Sequence, residues 1–248
     1  WVGDNVYADT KDDPSHIERC YAELEAKPGF KQLRDSSTFM AVWDDHDYGS
    51  NDAGKNYALK QRSRDIFRTF WRHEDRIPAD RPGVYHADVF GEPGQRLQVI
   101  MLDGRYNRED PSDAADTLGE PQWAWLEAEL KKPAELRFIV SGYQVLLDRE
   151  TKFETWAKFP AARERLFNLI AKTKAHGVVF IAGDQHYGEV SRIRGAFGGE
   201  TGYDAIELMF AGINQEETWV FNSARVSPVA NSLHSYACLL YTSPSPRD

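Results

Sequence analysis

Phe39-Met40-Ala41-Val42-Trp43-Asp44-Asp45-His46-Asp47 joins a short apolar run directly to a cluster of ionisable residues. The run from Phe39 to Val42 predicts a buried strand, so three aspartates and a histidine follow at its end. Carboxylates in such a place are costly to desolvate unless a cation compensates their charge. The alternative, a solvated acidic turn, does not explain why Asp45 and His46 follow an apolar strand. The stretch therefore favours a metal site.

Two other segments have the same design. Gly3-Asp4-Asn5-Val6-Tyr7 offers a carboxylate, which can bridge two cations, and a phenolate, which suits Fe(III). Gly183-Asp184-Gln185-His186 presents an acid and a histidine, one residue apart, from a single turn after an apolar run. Asn51 and Asp52 add oxygen donors to the loop behind the first cluster. Together these segments predict a polynuclear metal site, and hence a hydrolase.

Composition and charge exclude several classes of protein. The 248 residues are 41% hydrophobic and 28% charged, which is enough material for one large domain with a sizeable core. A formal net charge of -9 argues against sequence-independent nucleic-acid binding, because such binding needs a basic surface. No apolar run approaches the length of a transmembrane helix. There is no Gly-rich nucleotide loop, Cys-x-x-Cys pair or Gly-x-Ser-x-Gly motif either.

The two ends of the chain are interpreted separately from the fold. The chain begins at Trp1 and its first motif starts at Gly3, so we expect an N-terminal segment to be missing, which leaves export undecided. Residues 238–248 look like the translation of a sequencing adapter, and the alternative is a natural Ser/Pro-rich tail. The predicted domain therefore covers residues 1–237. Cys20 is then the only native cysteine, and it leaves the redox compartment undetermined.

Short apolar runs alternate with amphipathic segments along the chain. Strands are predicted at residues 39–42, 97–102, 136–140, 178–181 and 205–210. Helices are predicted at residues 17–26, 57–71, 119–130 and 160–175. This alternation predicts an α/β or mixed layered fold, in which polar clusters follow four of the strands immediately. Because ligands bind beyond the carboxyl ends of strands in open α/β sheets, we expect these clusters to be neighbours in space.

Other charged residues have two interpretations each. Arg105 either forms a structural ion pair with Asp103 or donates two hydrogen bonds to a phosphate. Glu154 is interpreted as a charge at the start of the following helix, and the alternative is an acid behind the metal ligands. Lys60 is either a neighbour of the phosphate or a lysine of a helix surface. The histidines outside the three motifs are assigned surface or core roles.

The order and spacing of these motifs resemble the PhoD-like alkaline phosphatase family of the calcineurin-like metallophosphatases. The resemblance rests on Gly3–Tyr7, Trp43–Asp47 with Asn51 and Asp52, Leu102–Tyr106, Gln144–Leu146 and Gly183–His186. It implies an α/β (α+β) fold with four αββα layers, a double β-sandwich flanked by helices, with the metals at the strand ends. The first strand of the family, which supplies the earliest ligand, would precede Trp1. The metal site is therefore expected to be incomplete.

The resemblance also implies a role for each candidate residue. Asp4 resembles the bridging carboxylate and Tyr7 the phenolate on Fe(III), in a di- or polynuclear centre that pairs iron with Ca(II) or another divalent cation. Asp45 resembles a metal ligand, and His46 resembles the group that meets the substrate or the leaving group. The remaining expected metal ligands are Asn51, Asp184 and His186. The family further suggests a secreted or periplasmic protein, which the sequence itself leaves undecided.

The sequence therefore predicts a metal-dependent phosphoesterase that acts on small-molecule phosphate monoesters or diesters. A metal-bound hydroxide would attack phosphorus in line, with His46, Arg105 and Lys60 as the catalytic side chains. One alternative is a catalytically incompetent, metal-stabilised domain that binds phosphorylated or polyanionic ligands. Another is a metal hydrolase that acts on carboxylic esters. The sequence decides neither the ester preference nor the oligomeric state.

Overall fold

A seven-stranded sheet with helices on both faces forms the framework of the protein. The computed structural model describes residues 1–147, 153–198 and 202–211, and the backbone of residues 227–232. The helices are α1 (Pro14–Glu25), α2 (Phe30–Ser36), α3 (Asp45–Tyr48), α4 (Lys60–Trp71), α5 (Glu120–Leu130) and α6 (Pro160–Thr173). The strands are β1 (His86–Phe90), β2 (Leu97–Met101), β3 (Leu136–Ser141), β4 (Val178–Ala182), β5 (Gly188–Ile193), β6 (Ala205–Phe210) and β7 (Ser227–Ser232). A short 3₁₀ helix spans Trp156–Lys158.

The strand order in the sheet is β1-β2-β3-β4-β6-β5-β7. The four central strands β2, β3, β4 and β6 are parallel, whereas β1, β5 and β7 run antiparallel to their neighbours. In this register Ile100 pairs with Ile139, and Ile139 pairs with Phe180. The carboxyl ends of the parallel strands therefore lie at one edge, where the sequence places its polar clusters.

Two hydrophobic cores lie on opposite faces of the sheet. Alternate residues of a strand point to opposite faces, so Ile139 packs in the core of α5 and α6 and Val140 in the core of α1 and α4. The second core is rich in aromatic side chains, among them Trp43, Tyr48, Phe67 and Trp71. Because Trp43 is buried in this core, the acidic cluster that follows it is anchored to the sheet.

The α/β class predicted from the sequence is confirmed. The predicted strands after residue 90 are present as β2, β3, β4 and β6. The four predicted helices are present as α1, α4, α5 and α6, with α4 beginning at Lys60, later than predicted. Proline lies in the first turn of α1, α5 and α6, where its missing N–H leaves no helical hydrogen bond unmade.

The prediction of a strand from Phe39 to Val42 is wrong. The segment makes one parallel bridge, between Val2 and Val42. Gly3 and Asp4 have φ angles of 77° and 48°, so the chain turns away directly after that bridge. A strand needs a partner over several residues, and this partner ends at the turn. All strands with assigned bounds in the described part of the chain belong to one sheet, and the Val2–Val42 bridge lies outside it.

Candidate metal centre

Three loops converge at the carboxyl ends of the parallel strands. Gly3 donates its N–H to Val42 O over 2.9 Å, which joins the first loop to the second. The first and third loops meet where the Tyr7 hydroxyl lies 3.0 Å from His186 Nε2. The structure therefore brings together the three motifs that the sequence singles out.

A four-residue helix, α3, presents the acids that follow Trp43. Asp44 is its N-cap, and Asp47 completes a capping box by accepting from the Asp44 N–H over 2.7 Å. The other oxygen of Asp47 accepts from the side-chain amide of Asn5 over 2.5 Å. Asp44 and Asp47 thus orient the helix and the first loop, whereas the side chain of Asp45 lies beside the other acidic residues.

Asp4, Asp45 and His46 form the first group of candidate metal ligands. One ligand atom of each lies within 4.8 Å of the others. The Tyr7 hydroxyl donates to Asp4 Oδ2 over 3.3 Å, and the Tyr7 ring lies 4.4 Å from the His46 ring, centroid to centroid. Tyr7 also contacts His186, so the first and last motifs adjoin at this group.

Asp45 also belongs to a second group, with Asp52 and Glu154. The three carboxylates have ligand atoms within the same 4.8 Å of one another, and the Asp52 N–H donates to Asp45 Oδ2 over 2.8 Å. Asn51, which was expected to be a ligand, is exposed in the turn beside Asp52. The structure thus adds Asp52 to the acidic groups, and a ligand role for Asn51 stays a prediction.

The interpretation of Glu154 as a charge at a helix start is wrong. Its side chain is 6% exposed and forms ion pairs with Arg105 and Arg108. The sequence signal for its burial is the pair of aromatic neighbours, Phe153 and Trp156. The two arginines lie far away along the chain, so the sequence does not reveal them as partners.

Burial and mutual repulsion dominate the electrostatics of the centre. Burial raises the pKa of Asp4 to about 10, and the charges of Asp44 and Asp45 add to the rise. Burial also raises the pKa of Asp184 well above its ordinary range, and the same two aspartates contribute. The pKa of Asp44 rises to about 7, because burial outweighs the attraction of Arg105. The described residues therefore supply too little positive charge to keep the pKa values of these three carboxyl groups in their ordinary range.

Asp45 differs from its neighbours. Burial acts to raise its pKa, but Arg105, His46 and the N–H of Asp52 outweigh burial and lower the pKa of Asp45. Asp45 is therefore held ionised at the point where the two acidic groups meet.

Arg105 is a wholly buried member of an ion-pair network. Its Nε donates to Asp44 Oδ1 over 2.6 Å, and its Nη2 pairs with Glu154 and lies 3.8 Å from Asp45 Oδ1. Asp103, the partner expected for the guanidinium, instead accepts from the Arg105 backbone N–H over 2.8 Å. The geometry favours the structural ion pair over the phosphate contact, with different partners from the expected one.

Lys60 opens α4, and its ammonium group is held by contacts outside the two acidic groups. It donates to Lys55 O over 2.9 Å and to Tyr106 O over 3.4 Å, and it lies 4.6 Å from the centroid of the Tyr106 ring. A catalytic role for Lys60, like that for Arg105, stays a prediction.

Asp9 is a candidate that the sequence does not reveal. Its Oδ1 lies 2.7 Å from His46 Nδ1, and the neighbouring N–H of Ala8 donates to His46 O over 3.0 Å. Because an ionised carboxylate only accepts hydrogen bonds, Nδ1 carries the proton in this pair, which fixes the orientation of the ring. No local pattern pairs two residues this far apart.

The motifs, the sheet and the acidic groups agree with one family. The profile of that family, described as PhoD-like phosphatase, matches residues 1–237. The chain belongs to the PhoD-like phosphatase family. The resemblance drawn from the sequence motifs is thereby confirmed.

Two solved structures share the fold of this PhoD-like phosphatase. The structure of PhoD superposes with a TM-score of 0.65 and 18% sequence identity, over 86% of this chain and 50% of its own. The present chain thus spans about half the length of that PhoD chain. GAP50, the anchor in the inner membrane complex of Plasmodium, superposes with a TM-score of 0.52 and 13% identity, over 94% of this chain and 66% of its own. A search of curated protein sequences gave no match.

The remaining predictions concern membrane spans and the limits of the domain. Among the helices in the described residues, none has the length and apolar character needed to cross a membrane. The domain limit at residue 237 and the adapter interpretation of residues 238–248 stay predictions, and residues 238–248 lie outside the described part.

Proposed function

We propose that this PhoD-like phosphatase hydrolyses small-molecule phosphate monoesters or diesters at a metal centre. The observation that supports the proposal best is the pair of acidic groups that share Asp45, beyond the carboxyl ends of the parallel strands. Membership of a phosphatase family supports a phosphatase-type reaction. The proposed metal ligands are Asp4, Tyr7, Asp45, Asn51, Asp184 and His186, with Asp52 and Glu154 as further donors of the second group.

The donor set fits a centre of hard cations. Asp4 Oδ1 and Asp44 Oδ2 are buried without a hydrogen-bond partner among the described residues, so these two oxygens lack the partner that a buried polar atom normally has. Carboxylate, phenolate and imidazole donors together suit Fe(III) with Ca(II) or another divalent cation, as the family resemblance implies. Bound cations would supply Lewis-acid activation of water and neutralise the phosphoryl oxygens.

His46 is the side chain that we propose moves a proton. Asp9 holds Nδ1–H, so the imidazolium form of His46 carries its second proton on Nε2, which gives that proton to the leaving oxygen or donates it to a phosphoryl oxygen. Arg105 contributes by keeping Asp44 in place, and Lys60 is the remaining cation proposed to attract the anionic substrate.

Replacement of the shared ligand tests the centre directly. Asp45→Asn should lower kcat/KM for p-nitrophenyl phosphate and bis-p-nitrophenyl phosphate by more than about a hundredfold, because both acidic groups lose a donor. Elemental analysis should show a matching loss of metal. Asp110→Asn removes an exposed aspartate outside both groups and should retain metal and activity. Near-normal hydrolysis by the Asp45 variant would refute the proposal.

The same assay separates the alternatives. Bound metal without hydrolysis of either phosphate ester would favour a binding domain for phosphorylated or polyanionic ligands. Hydrolysis of carboxylic esters, and of neither phosphate ester, would favour a metal hydrolase that acts on carboxylic esters. The ratio of the two nitrophenyl activities would establish the preference for monoesters or diesters.

A further inference from the structure

We call residues 142–147, the segment after β3, the 142–147 wall, because its first residues pack on the acidic centre. A Cβ placed on Gly142 would lie 2.6 Å from Asp44 Oδ1, so this backbone packs directly on the carboxylate. Gly142 O accepts from the N–H of Gly183 over 3.1 Å, and the aromatic ring of the next residue has its centroid 5.1 Å from the Arg105 guanidinium carbon. The 142–147 wall therefore touches two of the three loops and the buried arginine.

Two oppositely charged side chains hold the backbone of this wall at Val145 and Leu146. Glu207 of β6 accepts from the Val145 N–H over 2.6 Å and from the Leu146 N–H over 3.3 Å. Arg163 of α6 donates from Nε to Val145 O over 2.7 Å and from Nη2 to Leu146 O over 2.8 Å. Charged groups from two different elements thus bind both amides and both carbonyls of consecutive residues, and we call this arrangement the Glu207–Arg163 clamp.

The clamp requires a carboxylate in the interior. Glu207 is 0% exposed, and burial raises its pKa to about 7, with Glu189 adding to the rise and Arg163 opposing it. Neutral groups satisfy most buried backbone amides, whereas a charged acceptor makes bonds about twice as strong. A buried charge that binds two loop amides indicates a segment whose position matters.

The wall also carries a polar side chain without a partner in the described part of the chain. Gln144 is 1% exposed, and neither its Oε1 nor its Nε2 has a hydrogen-bond partner among those residues. The Gln144 carbonyl accepts from the Trp156 N–H over 2.9 Å, which places the residue beside the segment that carries Glu154. Buried amides are normally satisfied, so this one is suited to a bound ligand.

We propose that Glu207 and Arg163 are positioning residues, which hold the 142–147 wall, and Gln144 with it, against the acidic centre. Their contacts are with backbone groups, so they act through the wall and not on the reacting atoms. The expected effect on kcat rests on the proposed function, whereas the binding of the wall's backbone by Glu207 and Arg163 does not.

Glu207→Gln tests the clamp, because it keeps the size of the side chain but turns one acceptor oxygen into an NH₂ group. In the metal-loaded protein, amide hydrogen exchange at Val145 and Leu146 should accelerate by about tenfold or more. The kcat should fall by about ten- to a hundredfold, with metal content and KM within about twofold of the wild type. Loss of kcat at constant metal content separates positioning from general loss of structure.

Glu189→Gln is the matched control. Glu189 is likewise buried, on the neighbouring strand β5, but it accepts from the hydroxyls of Tyr187 and Ser191. Loss of the Glu189 charge removes one contribution to the raised pKa of Glu207, so in this variant the exchange of the wall should not accelerate and the kcat should not fall. Equal acceleration in the two variants, or faster exchange in Glu207→Gln with unchanged kcat, would overturn the proposal.

Arg163→Lys tests the second residue of the clamp, which lies on α6. It replaces the first test if the Glu207 variant does not fold. Lysine keeps the charge but lacks the planar fork that reaches two carbonyls, so exchange should rise and kcat should fall as above. Arg165→Lys, at an α6 arginine that pairs with exposed Glu120, is its control and should change neither. A wild-type protein without phosphoesterase activity would refute the proposed function, and the exchange measurements would still decide the clamp.

Discussion

At Asp45, a backbone N–H and a buried arginine favour the ionised carboxylate. Asp4 and Asp184 lack a cationic partner among the described residues, and burial with mutual repulsion raises their pKa. The centre thus contains one carboxylate that is ionised without a metal, and others that need a bound cation to become so. This difference explains why the shared ligand is the most informative residue to replace.

Asp9 is the residue whose replacement tests the proton transfer proposed for His46. Asp9→Asn keeps the shape of the side chain but removes the charge that holds Nδ1–H, so the His46 ring loses its fixed orientation. The oxygen of an alkyl leaving group must be protonated as the P–O bond breaks, whereas p-nitrophenolate is stable enough to leave as the anion. We therefore expect kcat to fall by about ten- to a hundredfold on an alkyl phosphate ester, and by less on the nitrophenyl ester.

The comparison of the two esters gives this experiment its control. Asp12→Asn changes an exposed aspartate shortly after the same loop and should leave both rates unchanged. An equal loss on both esters in Asp9→Asn would contradict a role in proton transfer and would indicate a purely structural contact.

At the scale of the elements, the sequence predicts well those that depend on their own residues. α5 and α6 each combine a proline in the first turn with apolar residues that reach the core, and β2, β3 and β4 are nearly continuous apolar runs. Phe39–Val42 has the same apolar character, but a strand also needs a partner, and the turn at Gly3 ends the partner after one bridge. Pairing is a property of two segments, which the composition of one cannot encode.

The candidate site divides in the same way. Its three motifs are local patterns, so the sequence alone singles out Asp4, Asp45 and Asp184. Asp9 behind His46 joins loops that the fold brings together, and its role appears only with the contact. The exchange of Asp103 for Asp44 as the guanidinium partner of Arg105 has the same origin, because burial and geometry choose between two nearby acids.

Gly142 lies where the 142–147 wall packs against Asp44, so its replacement tests how closely these two segments fit. Alanine there would place its Cβ 2.6 Å from Asp44 Oδ1, and Asp44 has little freedom to move because Arg105 Nε binds the same oxygen over 2.6 Å. Gly142→Ala should therefore lower the free energy of unfolding by about 1–3 kcal/mol, measured by urea denaturation. The kcat should fall at the same time, because the wall and Asp44 separate.

Gly198→Ala is the matched control for this glycine. A Cβ at Gly198 meets no atom of the described residues within 4 Å, so the free energy of unfolding should stay within about 0.5 kcal/mol of the wild type. If Gly142→Ala were as stable and active as Gly198→Ala, the close packing of the wall on Asp44 would be disproved.

At the scale of the whole molecule, the aromatic core on the second face encloses two buried histidines. His73 follows α4 and His86 opens β1, with exposures of 0% and 1% and ring centroids 4.8 Å apart. His86 Nδ1 donates to Val84 O over 2.9 Å, whereas neither ring nitrogen of His73 has a hydrogen-bond partner within the described ranges. The pair is therefore neutral, because His86 Nε2 and both ring nitrogens of His73 have no partner among those residues that would accept from an added proton.

Burial lowers the pKa of His73 to about 4, and the charge of Arg76 adds to the effect. Burial lowers the pKa of His86 to about 3, with further contributions from His73, Arg76 and Arg81. Asp88 and the amino terminus are the other charged groups that act on the pair. Below the ordinary pKa of 6.5, the unfolded chain takes up protons that the folded protein does not, so the free energy of unfolding falls as the pH falls.

Removal of one imidazole should therefore flatten the loss of stability in acid. Each histidine costs about 1.4 kcal/mol per pH unit below 6.5, so between about pH 7.5 and pH 5 each contributes a loss of about 2 kcal/mol. In urea denaturation at these two pH values, His73→Leu should lose about 2 kcal/mol less than the wild type. The carboxylates of the metal centre titrate in both proteins, so the difference isolates the histidine. His176→Gln, at an exposed histidine, should follow the wild type, and an equal acid loss in His73→Leu would show that the buried pair does not set the stability in acid.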